Sequence, residues 1–123
     1  MALILVAEDT AELAEMLQNI LQSRGHQVAV AHDGVEMIEK AKNITPKLIV
    51  SDIMMPGAYG SSAYKSLQDD KYTKDIPVIF LTALSPEQAA KVVPPSDKVT
   101  ILHKPVDIMK LLATVERFLP KAA

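Results

Sequence analysis

Hydrophobic positions along the chain fall into two alternating patterns. Short, β-rich apolar runs at Leu3 to Ala7, Gln27 to Ala31, Leu48 to Ser51, Val78 to Thr82 and Val99 to His103 are separated by longer stretches whose apolar residues return every three or four positions. The short runs have the length of strands, and the longer repeat marks one face of a helix. Regular alternation of the two predicts an α/β fold, a doubly wound five-stranded parallel sheet with helices on both faces. The first, third and fourth runs are nearly uninterrupted, as central strands covered on both sides require.

Punctuation residues set the helix limits. The first helix carries Leu13, Met16, Leu17, Ile20 and Leu21 on one stripe, with Thr10 as its N-cap and Gly25 as its stop. Asp33 to Asn43 reads as a second helix with a weaker stripe of Val35, Ile38 and Ala41, and Ser61 to Gln68 as a third whose pattern is diluted by serines. Ser85 caps the fourth, Pro86 fits its first turn and Gln88 completes a capping box; Pro94 and Pro95 then forbid continuation. The last places Ile108, Leu111, Leu112, Val115 and Leu119 behind Asp107, and Pro120 closes it. No internal repeat, low-complexity tract or linker divides the chain, so residues 1–123 are expected to form one domain.

Composition narrows the function classes. A hydrophobic content of 49% suffices for one core. With 13 Lys plus Arg against 15 Asp plus Glu, the net charge of −2 provides no basic field for nucleic acid or anionic lipid. The absence of cysteine excludes disulfides and thiolate metal sites and suits a reducing compartment. Glu8 and Asp9 end the opening apolar run too soon for a signal peptide or a membrane span, so a soluble, cytoplasmic protein is expected.

In a doubly wound sheet, ligands bind at the carboxyl ends of the strands. Glu8 and Asp9 follow the first run, Asp52 the third, Thr82 ends the fourth and Lys104 follows the fifth. Singly, each has an ordinary reading: Asp52 as a turn residue, Glu8 and Asp9 as helix starters, Thr82 as a strand residue, Lys104 as a solvated surface lysine. Together they place three carboxylates at one edge. Such acids raise one another's pKa unless a cation neutralises them, and hard oxygen donors suit Mg²⁺. Lys104 and the Thr82 hydroxyl can meet phosphoryl oxygens, leaving Asp52 as a nucleophile that forms an acyl phosphate. His26, His32 and His103 lack metal-ligand spacing and read as surface or packing residues. The methionines read as core filler, although Met54 and Met55 lie beside Asp52.

At these residues the chain resembles the response-regulator receiver domains of two-component signalling. The resemblance is carried by "LVAEDT" with Glu8 and Asp9, "SDIMMPGAYG" around Asp52, "FLTALS" with Thr82 and "HKPVD" with Lys104, and it covers essentially the whole chain. It implies a flavodoxin-like (βα)5 fold with strand order 2-1-3-4-5, and no output domain is expected in this chain. Asp52 becomes the phosphoacceptor, with Glu8, Asp9, Asp52 and the main-chain carbonyl of Met54 as Mg²⁺ ligands. Thr82 becomes the switch hydroxyl and Lys104 the phosphate partner. A cis Lys104–Pro105 bond is also implied, and Pro56 and Gly60 match the turn after the acceptor strand.

Three positions depart from the family pattern. Ile101 stands where Tyr or Phe is usual, "VVPPSDKV" replaces an Ala- and Gly-containing turn, and Tyr59 stands where an acid is frequent. The expected function is a stand-alone response regulator, phosphorylated at Asp52 by a histidine kinase or phosphotransfer protein. It then signals through altered binding to a downstream protein, as a monomer or a phosphorylation-dependent dimer. The rival is a receiver-like module that docks partners without switching. A phosphatase with an Asp nucleophile is disfavoured, because Met54 occupies the place of the second Asp such enzymes use as general acid; slow self-dephosphorylation is the most turnover expected.

Overall fold

The apolar runs become five strands: β1 (Leu3–Ala7), β2 (Gln27–Ala31), β3 (Leu48–Asp52), β4 (Val78–Thr82) and β5 (Val99–His103). In the computed structural model, which describes residues 2–53, 65–93 and 96–119, they form one parallel sheet in the order β2-β1-β3-β4-β5. The helices are α1 (Ala11–Ser23), α2 (Gly34–Ile44), a helical turn α3 (residues 65–68), α4 (Pro86–Val92) and α5 (Ile108–Phe118). Part of the third predicted helix, together with Met54, Pro56, Tyr59, Gly60, Pro94, Pro95 and Pro120, lies outside the described residues.

Side chains alternate across a strand, and here the alternation divides the interior into two cores. Ile4 and Val6 of β1, Leu48 and Val50 of β3, and Ile79 and Leu81 of β4 pack with Leu17 and Leu21 of α1 and with Leu111, Leu112 and Val115 of α5. Leu5 and Ala7, Ile49, and Val78 and Phe80 face the other way, onto Met37 and Ala41 of α2, Leu67 of α3 and Ala89 of α4. β3 and β4 are buried along their whole length, which explains why their sequences carry almost no alternation.

Helix ends follow their predicted positions more closely than their predicted chemistry. Thr10 occupies the N-cap of α1, but its side chain caps nothing; its N–H donates to Glu8 Oε2 at 3.0 Å. Asp33 lies before α2 rather than inside it and accepts from Glu36 N–H at 2.8 Å. Ser85 and Gln88 form the predicted capping box, and Asp107 caps α5. Gly25, at φ +87, lets the chain turn out of α1 in a conformation that a Cβ would disfavour.

Ile38 and Ala41 of the predicted α2 stripe pack in or against the core, but Val35 is 50% exposed and Met37 is buried. Met16 of α1 is also surface-accessible. On the edge strand β2, the carbonyl of Val30 accepts from Lys40 Nζ, which also pairs with Glu36. Urea unfolding tests the revised packing. Met37→Ala should cost about 2–5 kcal/mol, because it opens a cavity under α2, while Val35→Ala should stay within about 0.5 kcal/mol.

Candidate functional site

Order along the sheet locates the crevice. From β1 the chain crosses to β2 on one side, then returns to β3 on the other, so the carboxyl ends of β1 and β3 flank the point where the winding reverses. Glu8 and Asp9 leave β1 there. Asp52, predicted just beyond the third strand, is the last residue of β3 itself. Glu8 is almost wholly buried and Asp52 nearly so, whereas Asp9 is exposed. One carboxylate oxygen from each of the three acids lies within 4.8 Å of the others.

Lys104 enters this group from two strands away. Its main-chain N–H donates to the Thr82 carbonyl at 2.6 Å, fixing the chain just past β5. Its side chain then reaches back across β4, and Nζ donates to Asp52 Oδ2 at 3.0 Å and to Glu8 Oε1 at 3.2 Å. Its side chain is thus partly buried between two acids, in contrast to the ordinary surface reading. The Lys104–Pro105 bond is cis.

Burial and charge act in opposite directions on these groups. Desolvation pushes the Glu8 carboxyl above its ordinary value of 4.5, and Asp9 and the charge on Asp52 push the same way; the Thr10 N–H and Lys104 offset part of the rise. For Lys104, burial alone would lower the pKa, but the hydrogen bond and charge of Asp52, with those of Glu8, outweigh it and leave the ammonium above its ordinary value. Lys104 is therefore a fixed cation, while Glu8 is an acid whose ionised form lacks full compensation. Three hard oxygen donors with this deficit fit a small divalent cation such as Mg²⁺.

Thr82 is fully buried at the end of β4, one residue beyond the partner of Asp52 in the β3–β4 register. Its Oγ1 accepts from Leu84 N–H at 2.9 Å. His103, read from sequence as a surface or packing residue, makes a specific contact: its Nδ1 lies 3.0 Å from the Leu84 carbonyl oxygen. Nothing in residue spacing signals that contact, which depends on the direction of a loop carbonyl. Ile101, at the usual aromatic position, packs against the core that contains Phe80. The fourth Mg²⁺ ligand implied by the resemblance, the Met54 carbonyl, falls outside the described residues.

A doubly wound sheet carrying an acidic group, a hydroxyl and a lysine at its carboxyl edge defines the class of protein. The chain belongs to the response regulator receiver domain family, whose profile matches residues 4–116, a signalling domain of two-component systems. Protein PilH of Pseudomonas aeruginosa is 34% identical over 127 residues, covering 97% of this chain and 98% of its own length. The chain matches hybrid signal transduction histidine kinase D of Dictyostelium discoideum at 35% identity, spanning 92% of this chain but only 7% of that protein. Among solved structures, chemotaxis response regulator CheY4 of Vibrio cholerae is 33% identical with a TM-score of 0.85, covering 97% of this chain and 99% of its own. Response regulator TrrA of Thermotoga maritima, solved in complex with Mg²⁺ and BeF, is 27% identical with a TM-score of 0.82, covering 97% and 100%. No helix among the described residues is long and apolar enough to cross a membrane.

The raised Glu8 pKa makes a signed prediction for the metal-free protein. Where pH lies between the ordinary carboxylate value and the higher folded value, the folded state holds more protons than the unfolded chain, so the Glu8 contribution to stability falls as pH rises. Thermal melts of the parent and Glu8→Gln should therefore diverge in the variant's favour from acid to neutral pH. Adding Mg²⁺ should raise the Tm of the parent much more than that of the variant.

Proposed function

We propose that this protein is a stand-alone response regulator that takes a phosphoryl group onto Asp52 and signals by changed binding to a downstream protein. The observation that carries the proposal is Lys104 Nζ held 3.0 Å from Asp52 Oδ2 beside two further acids. A structural ion pair needs one lysine and one acid; three acids within reach of one another exceed that need. The near end-to-end match with PilH supports a single receiver domain, residues 1–123, working without an output domain. Family membership supports a sensor histidine kinase or phosphotransfer protein as donor, and a cytoplasmic setting follows from that pairing.

An Asp52 oxygen attacks phosphorus on a donor phosphohistidine; the new O–P bond forms as the N–P bond breaks, and the departing imidazole takes up a proton. Lys104 holds the Asp52 carboxylate before transfer, and its ammonium can stay against a phosphoryl oxygen afterwards. The Thr82 hydroxyl, which already accepts from Leu84 N–H, keeps its own proton to donate to a second phosphoryl oxygen. Glu8, Asp9, Asp52 and the Met54 carbonyl are the groups that would hold Mg²⁺, which when bound offsets the repulsion between a carboxylate and an anionic phosphate.

The rival reading, a module that docks without switching, is favoured by Ile101, an aliphatic side chain packed in the core where the family's movable ring is usual. It leaves the cost of the three acids without a purpose.

Intact-mass measurement with phosphoramidate and Mg²⁺ separates the two readings. The parent should gain one phosphoryl group and Asp52→Asn none. Lys104→Ala should slow uptake about ten-fold or more, as expected when a charged donor at the reacting group is removed. Equal uptake by Asp52→Asn and parent would sink the proposal.

A further inference from the structure

Two hydrogen bonds run in series from the switch hydroxyl to the edge of the sheet. Thr82 Oγ1 accepts from Leu84 N–H at 2.9 Å, and the Leu84 carbonyl meets His103 Nδ1 at 3.0 Å. Because a carbonyl oxygen only accepts, Nδ1 must carry the proton in that contact. Thr82 and His103 are also paired in the β4–β5 register, so the chain of contacts closes on itself through the sheet. Leu84 immediately precedes Ser85, the N-cap of α4, and its partly buried side chain packs against the core shared by Phe80, Ala89, Val93 and Ile101.

We propose that His103 is a positioning residue that couples Thr82 to the start of α4, so that engagement of Thr82 by a phosphorylated Asp52 is read out through the Leu84 peptide groups. The inference rests on the proposed role of Asp52 and adds to it the path by which occupancy leaves the site. A Thr82 side chain that moves toward a phosphoryl oxygen while still accepting from Leu84 N–H carries residue 84 with it. The N–H and C=O of Leu84 lie in adjacent peptide planes joined at one Cα, and with the C=O held at His103 a displacement of residue 84 is passed to the strand end and to Ser85. Ile101, two residues earlier on the same face of β5, has no polar atom with which to sense this loop; His103 does. The result at α4 is a shift of its cap, whose two hydrogen bonds join Ser85 and Gln88.

Nitrogen-15 NMR of the full chain, with Mg²⁺ and beryllofluoride as the phosphoryl probe, tests this coupling. In the parent, the probe should move the amides of Glu8 and Asp9, the His103 Nδ1 resonance and the amides of Ser85 and Gln88 together. His103→Ala, a change at an exposed side chain, should keep the pocket shifts and lose those at Ser85 and Gln88. His103→Asn, whose amide N–H falls near the place of Nδ1, should restore them. Parent-like Ser85 and Gln88 shifts in His103→Ala, or a His103 ring signal that stays still while the pocket moves, would overturn the coupling but leave Asp52 as acceptor. A probe that moves no pocket resonance in the parent would overturn the reading of Asp52, and this inference with it.

Discussion

Lys104 bridging Glu8 and Asp52 is the interaction around which the carboxyl edge of the sheet is arranged. It joins residues that follow β1, end β3 and follow β5, so three strands must hold their register for one ammonium to reach both acids. The two cores supply that rigidity. β3 and β4 are buried along both faces, so neither strand can slide without exposing a set of apolar side chains on each side. In return, the sheet presents a partly desolvated acidic group that one lysine leaves incompletely compensated, as the raised Glu8 pKa records. That deficit suits a divalent cation, and it is the ground on which a phosphoryl site is proposed at Asp52.

Thr82 stands between this pocket and the rest of the domain. Its carbonyl anchors the Lys104 main chain and its hydroxyl receives Leu84 N–H; one residue therefore touches both Lys104 and the loop entering α4. Receiver domains usually place an aromatic ring beside that loop. Here the ring's position holds Ile101, and a histidine at the strand end contacts the loop instead. The acidic pocket thus keeps more closely to the family's pattern than the contacts of this loop do.

Strand positions were legible because buried parallel strands need continuous apolar runs, and turns at Gly25 and caps at Ser85 and Asp107 need particular residues. The phase of α2 was less so. Its stripe rested on few positions: Ile38 and Ala41 face the core, whereas Val35 points outward and Met37, on the face opposite Val35, is buried. Thr10 was placed correctly as a cap, but its side chain makes no capping hydrogen bond and its N–H donates to Glu8 Oε2, contacts that depend on how the loop after β1 folds. Glu8, Asp9, Asp52, Thr82 and Lys104 were legible only as a set, since each alone resembles an ordinary turn, strand or surface residue. His103 was not legible at all: its contact is with a backbone oxygen, and sequence does not record where a carbonyl points.

Reductive trapping tests most directly the claim that this edge exists to accept phosphate on Asp52. Treating the phosphodonor-labelled protein with borohydride cleaves an acyl phosphate to the alcohol, and peptide mass analysis then locates the reduced residue. The account predicts homoserine at position 52, dependent on Mg²⁺. Phosphoryl uptake with position 52 unreduced and another residue modified would contradict it.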